Sequence, residues 1–415
     1  FDAVYRRLSP QAQRCYRAIG AFPGRSDISV DALGAAVELT GAPFQRALRE
    51  LEMMRVVERP EPGRLVVLGL VRAHGGRLAN QPDLAPEQAA VIERLIQWYL
   101  TGAVAAESRL MSQRMMRRHL FPDLTVDTTH PASRDREAAE AWMETERSAL
   151  RDVVLLAHQR GDAAAVIRLC VVLWSLYEPK KYVDDVLATH GPALLDARRV
   201  GHKSARALLM VQMSFVYLYS GQPELALVLA EGAVAQARAA ADRAVEATAV
   251  ESAGLAALAV GFRDRAVTLL ELNLAMAYEI DDPRRIALAC LHLAKATDPV
   301  RALVLLDEAM RLFQSLPELE QWNVAKVLTG QGRALHAMGE LDTARQRLTD
   351  ALARFEKTGR VFDTAQVLDD LGDLAIRAGD RVRALEHYRQ ALKIYQESGF
   401  FVYAVLSQER LAALS

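Results

Sequence analysis

Over the last two thirds of the chain, apolar residues recur every three to four positions. That spacing lays one apolar stripe along each of many successive helices. Near the end, Leu368, Leu371, Gly372 and Ala375 share one stripe, and Ala384, Tyr388, Ala391 and Leu392 share the next. Gly379 lies between them and suits the left-handed residue that often ends a helix. The pair Gly379…Ala384 recurs as Gly339…Ala344, Gly261…Ala266 and Gly221…Ala226, and without glycine as Thr297…Ala302. Read backwards from Ala384, the alanines are 40, 42, 36 and 40 residues apart. A helical hairpin repeated at this period cannot bury its apolar face alone, so it stacks on its neighbours as a solenoid. Gly372 and Ala384 are small where paired helices must cross closely, and Leu371 and Tyr388 fill the space beside them.

The first 80 residues carry a different pattern. Ser9-Pro10 is a helix start, a capping hydroxyl followed by proline in the first turn. The pattern predicts a helix through Cys15 and Ile19, a second over 30–39 and a third over 43–54. Val56-Val57-Glu58-Arg59 and Arg64-Leu65-Val66-Val67-Leu68 flank Pro60-Glu61-Pro62-Gly63, which predicts a hairpin. A further helix follows over 70–78. Three helices and a hairpin describe a winged-helix domain over 1–80. Residues 81–137 read as a helical connector, with Ile92, Leu95, Ile96, Tyr99 and Leu100 in helical register. Within it 121–136 lacks a period and holds Pro122 and Pro131, so a flexible loop is expected there. Residues 138–415 are expected to form one right-handed superhelix of paired helices without strands. The fold class is therefore mainly α: a winged-helix domain followed by an α-solenoid.

Composition narrows the function. The chain has 415 residues, 51% of them apolar, enough for two or three domains. Its net charge of −1 argues against a protein devoted to nucleic acid or membrane surfaces. Cys15, Cys170 and Cys290 are far apart in apolar contexts, which fits buried thiols in a reducing compartment. No apolar run approaches the ~20 residues of a membrane span, and no signal peptide is visible. A cytoplasmic location without membrane partners is expected. The chain opens on Phe1, already in a helical pattern, and reads as part of a longer protein.

Candidate chemistry is sparse. The third helix carries Gln45, Arg46 and Arg49, a recognition-helix composition, but also Glu50 and Glu52. With 12 Lys/Arg against 8 Asp/Glu, residues 1–80 are only mildly basic, so DNA contact by this domain is the weaker alternative. Arg109, Arg114, Arg117, Arg118 and His119 interleave with Met111, Met115 and Met116. That stretch reads as a solvated face over inward methionines, or else as an anionic-ligand surface. The histidines lack metal-ligand spacing. Adjacent carboxylates such as Asp184-Asp185 and Asp369-Asp370 point about 100° apart on a helix, as caps and solvated charges do. Gly201-His202-Lys203-Ser204 ends like a phosphate-binding loop, but Asp196 stands where its first glycine belongs. The chain is expected to be no enzyme and to hold no cofactor or metal.

The register Leu371-Gly372, Ala384, Tyr388, Ala391 resembles the tetratricopeptide repeat. Gly332, Ala344, Leu348 and Ala351 repeat it, as do Gly254 with Ala266, and Tyr217, Ala226 and Ala233. A second resemblance rests on longer stretches. "FDAVYRRLSPQAQRCYRAIGAFPG" and "ALRELEMMRVVERPEPGRLVVLGLVRAHG" resemble the segment after the nucleotide-binding domain of actinobacterial AfsR-like regulators, within the signal-transduction ATPases with numerous domains (STAND). "AEAWMETERSALRDVVLLA" resembles their linker into the repeats. This likeness implies an upstream ATPase domain as a partner and as the holder of ATP or ADP. It implies DNA contact only through other domains, including an N-terminal activator domain in some members. It implies transcription regulation, including of antibiotic biosynthesis. It also implies His-Asp after the hairpin, where this chain has Leu68-Gly69. Leucine donates no hydrogen bond to a phosphate, which puts that nucleotide sensor in doubt.

In tetratricopeptide arrays the first helix of each hairpin lines the concave groove. Carried over residue by residue, the groove positions are Leu208, Phe215 and Tyr219, then Leu255 and Leu258, then Arg284, Leu291 and Lys295. Lys326, Arg333 and His336 come next, and Asp369 and Asp373 close the series. The expected groove is apolar at one end, basic in the middle and acidic at the exit. Either it takes a protein or peptide segment, or a small effector, or these are ordinary solvated faces. Arg333 stands where a chaperone-tail clamp requires asparagine, which excludes that clamp. Two classes remain: the sensor and regulatory region of a transcriptional regulator, or the recognition arm of another signalling or defence ATPase.

Overall fold

In the computed structural model, residues 1–24 and 27–414 are described. They fold into two compact units: 1–175 with 191–196, and 176–190 with 197–415.

The first unit begins with α1 (Asp2–Tyr5) and α2 (Pro10–Ile19), then β1 (Ile28–Ser29), α3 (Val30–Val37), α4 (Gly41–Met53), β2 (Val57–Glu58), β3 (Arg64–Val67) and α5 (Gly69–Ala79). The expected helix start holds: Ser9 Oγ accepts from the Ala12 amide at 3.4 Å. The Ser9 hydroxyl and amide also donate to Glu50 at 2.6 and 2.7 Å, tying α2 to α4. β2 and β3 form the expected antiparallel hairpin, and β1 pairs with β3 on its other edge. Sequence reading missed β1, because two residues are too short to show a period. Arg46 and Arg49 lie exposed on α4.

The long α6 (Ala85–Leu110) and short α7 (Met116–Leu120) lead to a single 3-10 turn at Pro131–Ser133 and then α8 (Arg136–Gln159). The segment expected to be flexible is anchored instead. His130 is buried edge-on against the Trp142 ring at 5.1 Å, and Arg109 Nε donates to the Ser133 carbonyl at 2.6 Å. Gly102 permits this: a Cβ there would fall 2.4 Å from the Trp142 ring. The basic stretch is likewise turned inward at its centre. Arg117 is buried and donates to Glu107 at 2.7 Å and to the Leu124 carbonyl at 2.8 Å. Glu146 of α8 ties the unit together, accepting from Arg64 of β3 and, at 3.1 Å, from the Tyr99 hydroxyl of α6.

α9 (Ala163–Lys180) and α10 (Val183–Arg199) run through the boundary between the units. The second unit then continues as hairpins: α11 (Lys203–Tyr219) with α12 (Pro223–Ala239), α13 (Arg243–Val260) with α14 (Arg263–Ile280), and α15 (Pro283–Ala294) with α16 (Pro299–Ser315). α17 (Gln321–Met338) with α18 (Leu341–Lys357) and α19 (Val361–Arg377) with α20 (Arg381–Glu397) follow, and then α21 (Phe401–Ala413). The alanines that set the period are all buried where hairpin partners cross. Gly261 and Gly339 end their helices at φ +97° and +91°, a conformation that glycine adopts without strain. The hairpin without that glycine has the shortest first helix, α15, and this accounts for the 36-residue spacing.

Candidate partner-binding face

Three hairpins cross at a glycine. A Cβ added at Gly254, Gly332 or Gly372 would fall 2.7, 2.6 or 2.4 Å from Leu270, Leu348 or Tyr388 respectively. Those partners lie sixteen positions on in all three hairpins. Cys290 holds the same register before Leu306 in the short hairpin, and both are buried. This crossing fixes which side of each first helix remains for a partner.

The groove positions differ in the surface they leave open. Leu208 and Leu291 are fully buried in the helical packing and offer a ligand no surface. Phe215, Leu255 and Leu258 are half-buried. Tyr219 packs against Phe362 with ring centroids 5.6 Å apart, and Lys181 Nζ lies 4.0 Å over its ring. The acidic positions serve α20 and α21. Asp369 is buried and accepts from Tyr395 at 3.1 Å, Ser407 at 2.8 Å and Arg410 at 3.0 Å. Asp373 accepts from the Tyr388 hydroxyl at 2.6 Å. The His336 carbonyl accepts from Arg377, and its side chain is half-buried.

The basic positions differ from one another. Arg284 donates to Glu320 at 2.8 Å, and Arg333 to Asp370 at 2.8 Å. Lys326 Nζ lies 4.0 Å from Glu178. Lys295, at the end of α15, has an exposed side chain. Protein on the concave side desolvates it in part. That desolvation, then Lys326, then Arg333, lowers its ammonium to about 8. Glu251 and His292 face each other nearby, Oε1 to Nδ1 at 3.3 Å, where burial first and then Glu251 set the imidazole, with the net shift downward.

Sequence reading missed the residues that join distant hairpins within this unit. Arg360, at the head of α19, donates to Glu178 of α9 at 2.8 Å, across 182 residues. Lys181 donates to the same carboxylate at 2.8 Å. Burial alone would raise the Glu178 carboxyl, but Arg360, Lys181 and Lys326 together hold it well below the usual range. Beside this ion cluster, Phe362 meets Phe400 and Tyr403 at 4.8 and 4.9 Å, and the Tyr403 hydroxyl donates to the Leu218 carbonyl at 3.3 Å. Nothing local in the sequence marks so distant a pairing. Among the described residues no group of His, Cys, Asp and Glu could hold a metal, and no helix is long and apolar enough to cross a membrane.

The hairpins, their small crossing residues and their concave first helices define an α-solenoid of the tetratricopeptide kind. The family described as tetratricopeptide repeat matches residues 323–397, which hold most of α17 through α20. Along nearly its whole length the chain resembles the regulatory protein AfsR of Streptomyces griseus, to which it is 25% identical over 406 residues. That match covers 96% of this chain and 40% of the relative, so the chain spans less than half of the relative's length. The regulatory protein AfsR of Streptomyces coelicolor is 28% identical over 185 residues, 42% of this chain and 17% of its own. Among solved structures, a STAND protein with a tetratricopeptide repeat sensor from Pyrococcus horikoshii aligns with all of this chain and 61% of its own. Its TM-score is 0.44 at 12% identity.

Proposed function

We propose that this chain is the sensor and regulatory region of a STAND-type transcriptional regulator. Its repeats take a protein or peptide segment on their concave face, and occupancy controls an upstream nucleotide-binding switch in the same longer protein. The likeness to AfsR over 96% of the chain supports the regulatory role. The observation that carries the binding role is the row of cationic side chains on neighbouring first helices, Lys295 after α15 and Lys326 and Arg333 on α17. Lys326 and Arg333 are seven residues apart, two turns along one face of their helix. ATP or ADP belongs to the upstream domain in this reading, and DNA to the regulator's other domains. Helices α2, α3 and α4 and the sheet act as a winged-helix packing module. Leu68, 62% exposed before α5, replaces the histidine expected beside the nucleotide. The nucleotide state is therefore read by other contacts.

Site-directed photocrosslinking in the longer regulator tests this. A benzoylphenylalanine at Leu255, on the concave side of α13, should capture one defined acidic segment. The same probe at Val304, exposed on α16, should capture none. Capture from Val304 alone would place the partner on the opposite face.

A further inference from the structure

The second unit closes on itself. In a stack of hairpins each pair of helices packs on its neighbours, and nothing in that scheme requires the first pairs to meet the last. Here they meet. Arg360 at the head of α19 and Lys181 after α9 both donate to Glu178 of α9 at 2.8 Å. Phe362 of α19 packs on Tyr219 of α11 with ring centroids 5.6 Å apart, and the Tyr403 hydroxyl of α21 donates to the Leu218 carbonyl at 3.3 Å. Val402 of α21 packs on Gly221, where a Cβ would stand 2.9 Å from its Cγ1. Lys181, Arg360 and Phe362 are all buried.

This seam differs from the interfaces inside the array. Neighbouring hairpins share one apolar core over α14 to α19. Across the seam, among the described residues, no backbone–backbone hydrogen bond joins α9–α12 to α19–α21. Opening it therefore breaks no helix and no hairpin. The ions it holds regain hydration when they part, which offsets much of their attraction. The seam also covers concave surface. Tyr219 is a groove position, yet Phe362 from the far end of the array lies against it and Lys181 Nζ lies 4.0 Å over its ring. The last hairpin thus stands where α11 would meet a partner.

We propose that α19–α21 form an autoinhibitory clasp, which when closed occupies the α11 end of the concave face and when open releases Tyr219 to the acidic segment. This rests on the reading of the concave face given above and adds its regulation. Clasp and segment exclude each other, so the segment's apparent affinity falls with the fraction of chains that are clasped. Partner binding and separation of the two ends are then one equilibrium.

A disulfide lock tests this. A Cβ at position 221 would stand 3.3 Å from the Val402 Cβ, close to the ~3.8 Å of a disulfide. Ala241 and Asp281 hold left-handed turns at φ +52° and +57°, so a side chain is tolerated at Gly221, where φ is +69°. Cys15, Cys170 and Cys290 are buried and stay out of the exchange. The longer regulator carries Gly221→Cys and Val402→Cys with benzoylphenylalanine at Leu255, one hairpin along from Tyr219. The reduced protein should capture the segment as the parent does, the oxidised protein should lose capture, and reductant should restore it. In a separate chain, Glu178→Lys sets a further cation beside Lys181, Lys326 and Arg360 and should raise capture above the parent. Cysteines that fail to oxidise would show that the ends do not meet. Undiminished capture by the oxidised protein, or unchanged capture by a Glu178→Lys chain with parental circular dichroism, would overturn the clasp while the concave-face reading stands. No capture at Leu255 even in the parent would overturn that reading, and the clasp's role with it.

Discussion

The Tyr388 ring packs against Gly372 so closely that a Cβ there would stand 2.4 Å from Cε1. Tyr388 cannot retreat freely, because its hydroxyl donates to Asp373 at 2.6 Å and the Arg410 guanidinium lies over its ring at 5.8 Å. Gly372→Ala should therefore destabilise the chain, and Gly372→Leu should do so further, by ~1–3 kcal/mol as overpacking does. Thermal melts check this. A Gly372→Leu variant that melts with the parent would mean that the helices do not cross there.

His190 gives the second unit an acid limit. Its ring is fully buried, with Nε2 2.9 Å from the Gln212 amide oxygen and Nδ1 3.0 Å from the Thr189 hydroxyl. Burial lowers its pKa to about 4, against the direction of its Gln212 hydrogen bond. The unfolded chain then binds a proton that the folded chain refuses, so stability is lost as pH falls from 6.5 towards 4. The loss should reach roughly 2 kcal/mol by pH 5. His190→Gln should flatten that slope in denaturant melts between pH 7 and pH 5. An unchanged slope would assign the acid sensitivity to other groups.

The Glu178–Arg360 pair should govern how firmly α9 is held to α19. Removing Arg360 alone leaves a nearly buried carboxylate with Lys181 and the more distant Lys326, and should cost ~1–3 kcal/mol. Replacing both partners with methionine should recover most of that loss. Hydrogen exchange should locate the change at α19 and at the Tyr403–Leu218 contact. Equal destabilisation in the double variant would show that the aromatic contacts, not the ions, set the closure.

The chain alone should bind neither ATP nor ADP, since no phosphate-cradling loop lies within it. Calorimetry with both nucleotides should register no binding heat. Micromolar affinity for either would reveal a phosphate site that the sequence motifs do not describe.

The repeat was legible because its cause is local. Gly372 and Tyr388, or Gly332 and Leu348, meet inside one hairpin, and the alanine period follows from that contact. The hairpin of β2 and β3 was legible from its Pro/Gly turn. What escaped reading depends on long-range pairing. Asp369 and Asp373 looked like an open acidic exit, yet they bind Ser407, Arg410 and Tyr388. Leu208 and Leu291 had the right spacing for a groove, but neighbouring helices bury them. Glu178 carried no local signal, because its partner Arg360 lies 182 residues away. The 121–136 segment looked loose by composition, while His130 between Trp98 and Trp142 anchors it.

The central claim is that the cationic concave face governs the switch. Its most direct test is a transcription reporter driven by the longer regulator carrying Lys326→Glu and Arg333→Glu, with circular dichroism and melting confirming the fold. Output should become insensitive to the inducing signal, because reversed charges repel the acidic segment across both turns of α17. A folded variant with wild-type output and wild-type response would contradict the claim and make this face a passive surface.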